Sequence, residues 1–293
     1  GGTVRTHLRM PLYRNAYALV ATTAVTSALG IVYWALAARR YAEVDVGRAG
    51  AAVAALLLLG GATQLNLTTV LPRFLPEAGP RSTRLVLTSY AATVAAAVVV
   101  GGVYVAVGGV DEAMAAGASP WPARLAFVAA LVAWNLFTVQ DAVLAGIRQA
   151  VWVPFENAIF AGAKIALLVV LAASMPRTGL FTSWSVPAAV LLVPVSVLLF
   201  GRLLPAHRHA TAHRVAVPHR EVIRYAAADY VGGLAQLSTI NAMPLLVVWL
   251  VGLEANAYFA TAWIAASAFD LALANIGVSF TVEGAHDGER MAH

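Results

Sequence analysis

The sequence predicts an all-α, polytopic membrane protein that crosses the bilayer eight times, and three observations carry that prediction. Hydrophobic residues fill 60% of the 293 positions and charged residues only 11%, a balance that a water-soluble domain of this length has too little interior to bury. The apolar residues come in runs of 20 to 28, the helix length that crosses a hydrocarbon core about 30 Å thick at 1.5 Å per residue. Arginines and prolines gather in the gaps between the runs. A backbone in lipid has no water to bond, so each run must close its hydrogen bonds within itself, as a helix.

The spans follow in order. The first, 15–38, is span-length and lacks a small-residue cleavage pattern after it, so it reads as an anchor that stays. The second, 49–72, runs into VLPRFLPEAGPR at 70–81, where Pro72, Pro76 and Pro80 each lack an N–H and crowd the preceding turn. That stretch is expected to be a non-helical collar at the membrane surface. The third span is 85–110; the fourth, 125–147, holds Asp141; the fifth, 157–176, holds Lys164; the sixth is 178–201. The seventh, 226–253, has Asp229 near its start, and the eighth, 255–282, encloses Asp270. Pro187, Pro194 and Pro244 hinge or kink the sixth and seventh spans.

Between the sixth and seventh spans lies LPAHRHATAHRVAVPHR, residues 204–220, with four histidines and three arginines. His207 and His209 have no carboxylate or cysteine at a fixed spacing to complete a metal site. The segment is expected to be a polybasic linker facing anionic lipid headgroups. The chain therefore divides into a six-helix part at 1–204, a linker at 205–224 and a two-helix part at 225–293.

Thirteen arginines fall in the loops on one side of this threading and five on the other, and short loops rich in arginine stay in the cytoplasm. Both termini are therefore expected inside. The net charge of +5 needs no nucleic-acid partner, because these arginines are spread over alternate loops and form no basic-aromatic surface. With no cysteine in the chain, a disulfide framework, a thiolate metal site and a cysteine nucleophile are excluded. No cofactor motif is present.

A charge at the bilayer centre costs about 2.5 to 3.5 kcal/mol on insertion scales, so charges inside spans face protein or water. Counted from the expected helix ends, Asp141 and Lys164 lie at matching depth on neighbouring antiparallel helices. They are expected either to pair or to grip an anionic substrate. Asp270, nearest the middle of its span, reads as an ion-coupling acid or as a hydrated, hydrogen-bonded one. Asp229 is placed to meet Arg224 at the interface.

Three stretches resemble the polysaccharide and lipopolysaccharide flippases of the multidrug/oligosaccharidyl-lipid/polysaccharide exporter superfamily. They are WALAARRYAEVDVGRAGAAVAALLLLGGATQLNLTTVLPRFLPEAG at 34–79, QDAVLAGIRQAVWVPFENAIFAGAKIALL at 140–168, and PLLVVWLVGLEANAYFATAWIAAS from 244 with VEGA after it. The resemblance implies two six-helix lobes of MATE-like build around a cavity, of which this chain supplies the first lobe and the first two helices of the second. A C-terminally truncated fragment is thus expected. It implies transport of a lipid-linked oligosaccharide from the cytoplasmic to the outer leaflet of the inner membrane, without enzymatic chemistry. Arg14, Arg40, Arg73, Arg148 and Lys164 match charged positions of the pattern and would meet the pyrophosphate. The implied partners are that lipid, membrane lipids, and glycosyltransferases or a polymerase of the same pathway. A multidrug or cation antiporter of the same fold, resting on Asp141 and Asp270, is the competing expectation; a membrane enzyme is disfavoured because no acid pair or histidine-rich site stands out at the interface.

Overall fold

A computed structural model describes residues 28–109, 121–213 and 218–252, with isolated helical positions between 259 and 266. Arg14 and Asp270 lie outside the described residues, as do the start of the first span and nearly all of the eighth. The described elements are helical. In order they are α1 (residues 28–40), α2 (Glu43–Thr63), α3 (Leu67–Phe74), α4 (Ser82–Ala106), α5 (Trp121–Gly146), α6 (Trp152–Ser174), α7 (Gly179–Leu198), α8 (Leu204–Ala210) and α9 (His219–Val251). Ala28–Ala242 form one compact unit, and the last turns of α9, from Met243, belong to a second.

Five segments among the described residues are long and apolar enough to cross a membrane: Glu43–Thr63, Gly79–Ala106, Trp121–Gly146, Trp152–Ser174 and Gly179–Ala210. Their outward faces are apolar too, with Val99 and Val103 on α4, Ile159 and Val170 on α6, and Val190, Val193 and Val197 on α7 all exposed. A soluble protein does not display contiguous aliphatic stripes of this size, whereas lipid solvates them. The chain is an all-helical membrane protein over its described residues.

The bundle is organised around α5, whose apolar window is 61% buried against 17–39% in the other four. One end of α5 carries Phe127 and Leu131, packed with Tyr33, Leu56, Leu168 and Leu180. The other carries Val139, Val143 and Leu144, packed with Leu71, Leu75, Leu199 and Leu204. Glycines set two close approaches. A Cβ at Gly60 would meet the Trp134 indole at 2.9 Å, and one at Gly146 would meet the Leu71 carbonyl oxygen at 2.9 Å.

Three boundaries differ from expectation. The second span is not one helix ended by Pro72. It breaks at residues 64–66, where Leu65 and Asn66 take left-handed backbone angles (φ 52° and 54°), and Pro72 lies inside α3. The expected collar is α3's end followed by two 3-10 turns, Leu75–Glu77 and Gly79–Arg81, opened by Pro76 and Pro80. Leu75 and Ala78 are buried there, so the collar packs rather than hangs free. The sixth span does not stop at 201: it passes through a π turn at Leu199–Leu203 into α8, which ends at Ala210. The expected linker at 205–224 is therefore mostly helix, and Leu204 and Val222, at its two ends, are buried in the same apolar cluster. Apolar anchors at both edges of the histidine-arginine stretch outweigh its charge, and the compact unit continues across the boundary expected at 204.

Candidate functional site

The polar chemistry of the bundle collects on one helix. Lys164 is the thirteenth of the 23 residues of α6, close to its midpoint, and is 8% exposed. Three rings face its ammonium: Tyr33 from α1, with Nζ 4.9 Å from the ring centroid, Phe160 one turn back on α6 at 5.2 Å, and Trp184 from α7 at 4.5 Å. Each ring presents its negative face to the cation, worth up to about 2 kcal/mol when water is excluded, so three rings offset the insertion cost of about 2.5 to 3.5 kcal/mol.

The chamber is held rigidly. The Tyr33 hydroxyl donates to the Leu180 carbonyl at 3.0 Å and lies 2.9 Å from the Ser183 hydroxyl. Trp184 packs on Trp134 (5.1 Å between centroids) and edge-on to Phe160 (5.9 Å), and Phe137 continues the aromatic wall at 5.2 Å from Phe160. The Trp184 indole N–H is buried with no acceptor. An ammonium and an unsatisfied N–H in an aromatic box form a donor set with no acceptor of its own, which is what an anionic or hydroxyl-rich group would fill.

Eight residues back along α6, the other charged side chain of the helix has the opposite problem. Glu156 is 4% exposed and no N–H or hydroxyl reaches its carboxyl oxygens; its hydrogen bond is to the Asp141 carboxyl. Asp141 of α5 and Tyr90 of α4 are its electrostatic neighbours. Asn157 donates to the Asp141 Oδ2 at 3.0 Å and to the Val153 carbonyl at 3.0 Å, while Asp141 also hydrogen-bonds Glu156 and the Tyr90 hydroxyl is buried without a partner. The Tyr90 ring meets Phe200 of the π turn edge-on at 5.9 Å, which closes that side.

The expected Asp141–Lys164 pair is not formed. The expectation counted depth on the fifth span from residue 157, but α6 begins at Trp152. Asp141, five residues before the end of α5, is therefore level with Asn157, and Lys164 lies about 10 Å further along at 1.5 Å per residue. Among the described residues the ion pair found is Arg48 to Asp45 at 3.4 Å, on the surface.

The break in the second span is the third polar locus. Thr93 donates to the Thr63 carbonyl at 2.9 Å and Tyr230 to the Ala62 carbonyl at 2.8 Å. Asn135 donates to the Thr63 hydroxyl at 2.6 Å, which in turn donates to the Leu59 carbonyl at 2.6 Å. Carbonyls released where a helix stops inside a membrane need such partners. Asp229 accepts from the Asn66 side-chain amide at this break. Its partner is thus Asn66, not Arg224 as expected, because α9 begins at His219 and brings residue 229 three turns inside its own start.

The expected basic residues do not converge. Among the described ones, Arg40, Arg73 and Arg148 are exposed and Lys164 is interior. Arg73 lies over the Tyr225 ring at 4.7 Å, and Arg148 occupies a left-handed turn (φ 61°) after α5. By chain direction, Arg73 and Arg148 sit at the end of the bundle where α3 and α5 finish, and Arg40 sits at the opposite end. The sequence reading missed Glu156 and Tyr90. Its rule ended spans at charges, so a buried glutamate became a border; an acid five residues into one helix opposite an acid five residues before the end of the last was the available signal. No family model, curated protein or solved structure matches this chain.

Proposed function

We propose that this chain is part of a transporter that flips a lipid-linked oligosaccharide, a polyprenyl-pyrophosphate-sugar, across the cytoplasmic membrane by alternating access, with both termini inside. The observation that carries the reading is Lys164: a cation near mid-helix, walled by aromatic rings and, among the described residues, paired with no carboxylate. A phosphate crossing hydrocarbon needs a charged donor, and sugar rings pack on aromatic faces. The discontinuity at 64–66 adds an articulated element at membrane depth, a device of transporters that rock between two open states. In this reading Arg73 and Arg148 attract the headgroup at one end and Arg40 receives it at the other. The eight-span count and the MATE-like two-lobe build belong to the same proposal.

Depleting the protein from its native cells tests it. The expected result is accumulation of lipid-linked oligosaccharide in the cytoplasmic leaflet, restored by the wild-type chain, restored in part by Lys164→Arg and not restored by Lys164→Met. Unchanged lipid-linked sugar with heightened drug sensitivity moves the assignment to the cation antiporter, which the buried carboxyls of Asp141 and Glu156 favour. Missing glycosyl linkages with no stalled lipid point to an enzyme.

A further inference from the structure

At the end of the bundle where α3 and α5 finish, the fold gathers cations without answering them. Arg81 closes the turn Gly79–Arg81, Arg84 lies in the first turn of α4, Arg202 is in the π turn and Arg208 in α8. These elements are packed together: α8 lies on the 79–81 turn and on α4, His207 Nε2 is 3.1 Å from the Leu75 carbonyl oxygen, and Phe200 meets Tyr90 of α4 edge-on. Ser82 donates to the Gly79 carbonyl at 2.6 Å beneath the turn, so Arg81 and Arg84 rise from a fixed base. All four arginines are exposed, and none has a hydrogen-bond or ion-pair partner among the described residues. Below them the surface turns aliphatic. Leu87 lies one turn from Arg84, and Val98 about three turns further along the same side of α4; Val193 and Val197 of α7 lead to Arg202, and all four side chains are exposed.

We propose that the corner between the 79–81 turn, the start of α4 and α8 binds a phospholipid of net negative headgroup from the surrounding bilayer. Head and tail each meet a counterpart. Guanidinium groups take phosphate oxygens two at a time, and here four of them stand at the end of two lipid-facing aliphatic stripes. A zwitterionic headgroup brings a cation of its own, which four unanswered guanidinium groups repel. A free phosphate engages the arginines alone, whereas a lipid phosphate arrives tethered to chains that pack on Leu87 and Val197, so its local concentration at the arginines is far higher. The bound lipid clasps the 79–81 turn to α8 from outside, above the contact that His207 makes with Leu75.

The site stands whether or not the chain is a flippase, because it uses neither Lys164 nor Arg73 and Arg148 and its test reads binding, not transport. The full chain, purified in detergent, is titrated with a fluorescent short-chain phosphatidylglycerol, and unlabelled phosphatidylglycerol, phosphatidylcholine and inorganic phosphate are added as competitors. Saturable binding is expected, displaced by phosphatidylglycerol and far less by the other two. Arg81→Gln, Arg84→Gln, Arg202→Gln and Arg208→Gln should each weaken it about fivefold, while Arg220→Gln, at the same end on α9, and Arg177→Gln, at the opposite end, weaken it less than any of the four. Each variant removes an exposed side chain that bonds nothing, and the wild-type competition decides the matter even if one fails to fold. Displacement by phosphatidylcholine as effective as by phosphatidylglycerol overturns the proposal. Equal displacement by inorganic phosphate overturns it in favour of a soluble anion, and an equal loss in Arg220→Gln or Arg177→Gln in favour of a diffuse field.

Discussion

Lys164 and Glu156 are eight residues apart on α6, both buried, both without a countercharge among the described residues, and their surroundings answer that burden differently. The lysine is met by the faces of Tyr33, Phe160 and Trp184. The glutamate is met by another carboxyl and by a phenol whose hydroxyl is unbonded. Aromatic quadrupoles solvate a cation and not an anion, so rings complete the basic locus electrostatically, whereas the acidic one is answered by a hydrogen bond between its own two carboxyls. One helix can thus carry two opposite charges through a membrane at different cost.

The largest expected effect comes from taking a ring away from the cation. Trp184→Ala removes a packed indole from the Lys164 chamber and should cost about 3 to 5 kcal/mol in detergent unfolding. If adding Lys164→Met to that variant recovers none of the loss, ring and charge are not coupled and the contrast with Glu156 fails. Next is the acid side: Glu156→Gln replaces one of two facing carboxyls with an amide that can donate to Asp141 and should raise stability by about 1 to 2 kcal/mol. A loss of that size would mean the protein itself compensates the carboxyls. Lys164→Met alone should stay within about 1 kcal/mol of the wild type, since a thioether of similar volume also packs well on rings. Smallest is Tyr90→Phe, which should shift stability by about 0.5 kcal/mol or less because its hydroxyl has no partner to lose; a larger drop would reveal a bond to Tyr90.

Much of the architecture was readable because lipid imposes a coarse rule. Runs of uncharged residues mark helices, and the third to sixth spans lie where the runs do, with ends displaced by a few residues. The displacements had physical causes. Trp152 to Glu156 extend α6 because the charge at 156 is tucked inward. Leu204 extends the sixth span because it is buried beside Leu199. The break at 64–66 was illegible to a method tuned to proline and glycine, for TQLN contains neither; it rests on partners 30 to 168 residues away, Thr93, Asn135, Asp229 and Tyr230. Of the site, Lys164 and Asp141 were visible as charges in apolar runs, while their partners depended on helix register that composition does not contain.

That break also bears on how the chain is made. The segment after it, Leu67–Phe74, spans only about 12 Å at 1.5 Å per residue, too little to be accepted by a bilayer on its own. Its partners at the bend, Asn135 and Tyr230, lie 72 and 168 residues from the groups they bond, so a chain synthesised only as far as Phe74 lacks them. The bend is therefore expected to set only when later helices arrive to claim the carbonyl of Ala62 and the side chain of Thr63, and a stalled chain that stops before them is expected to lack it.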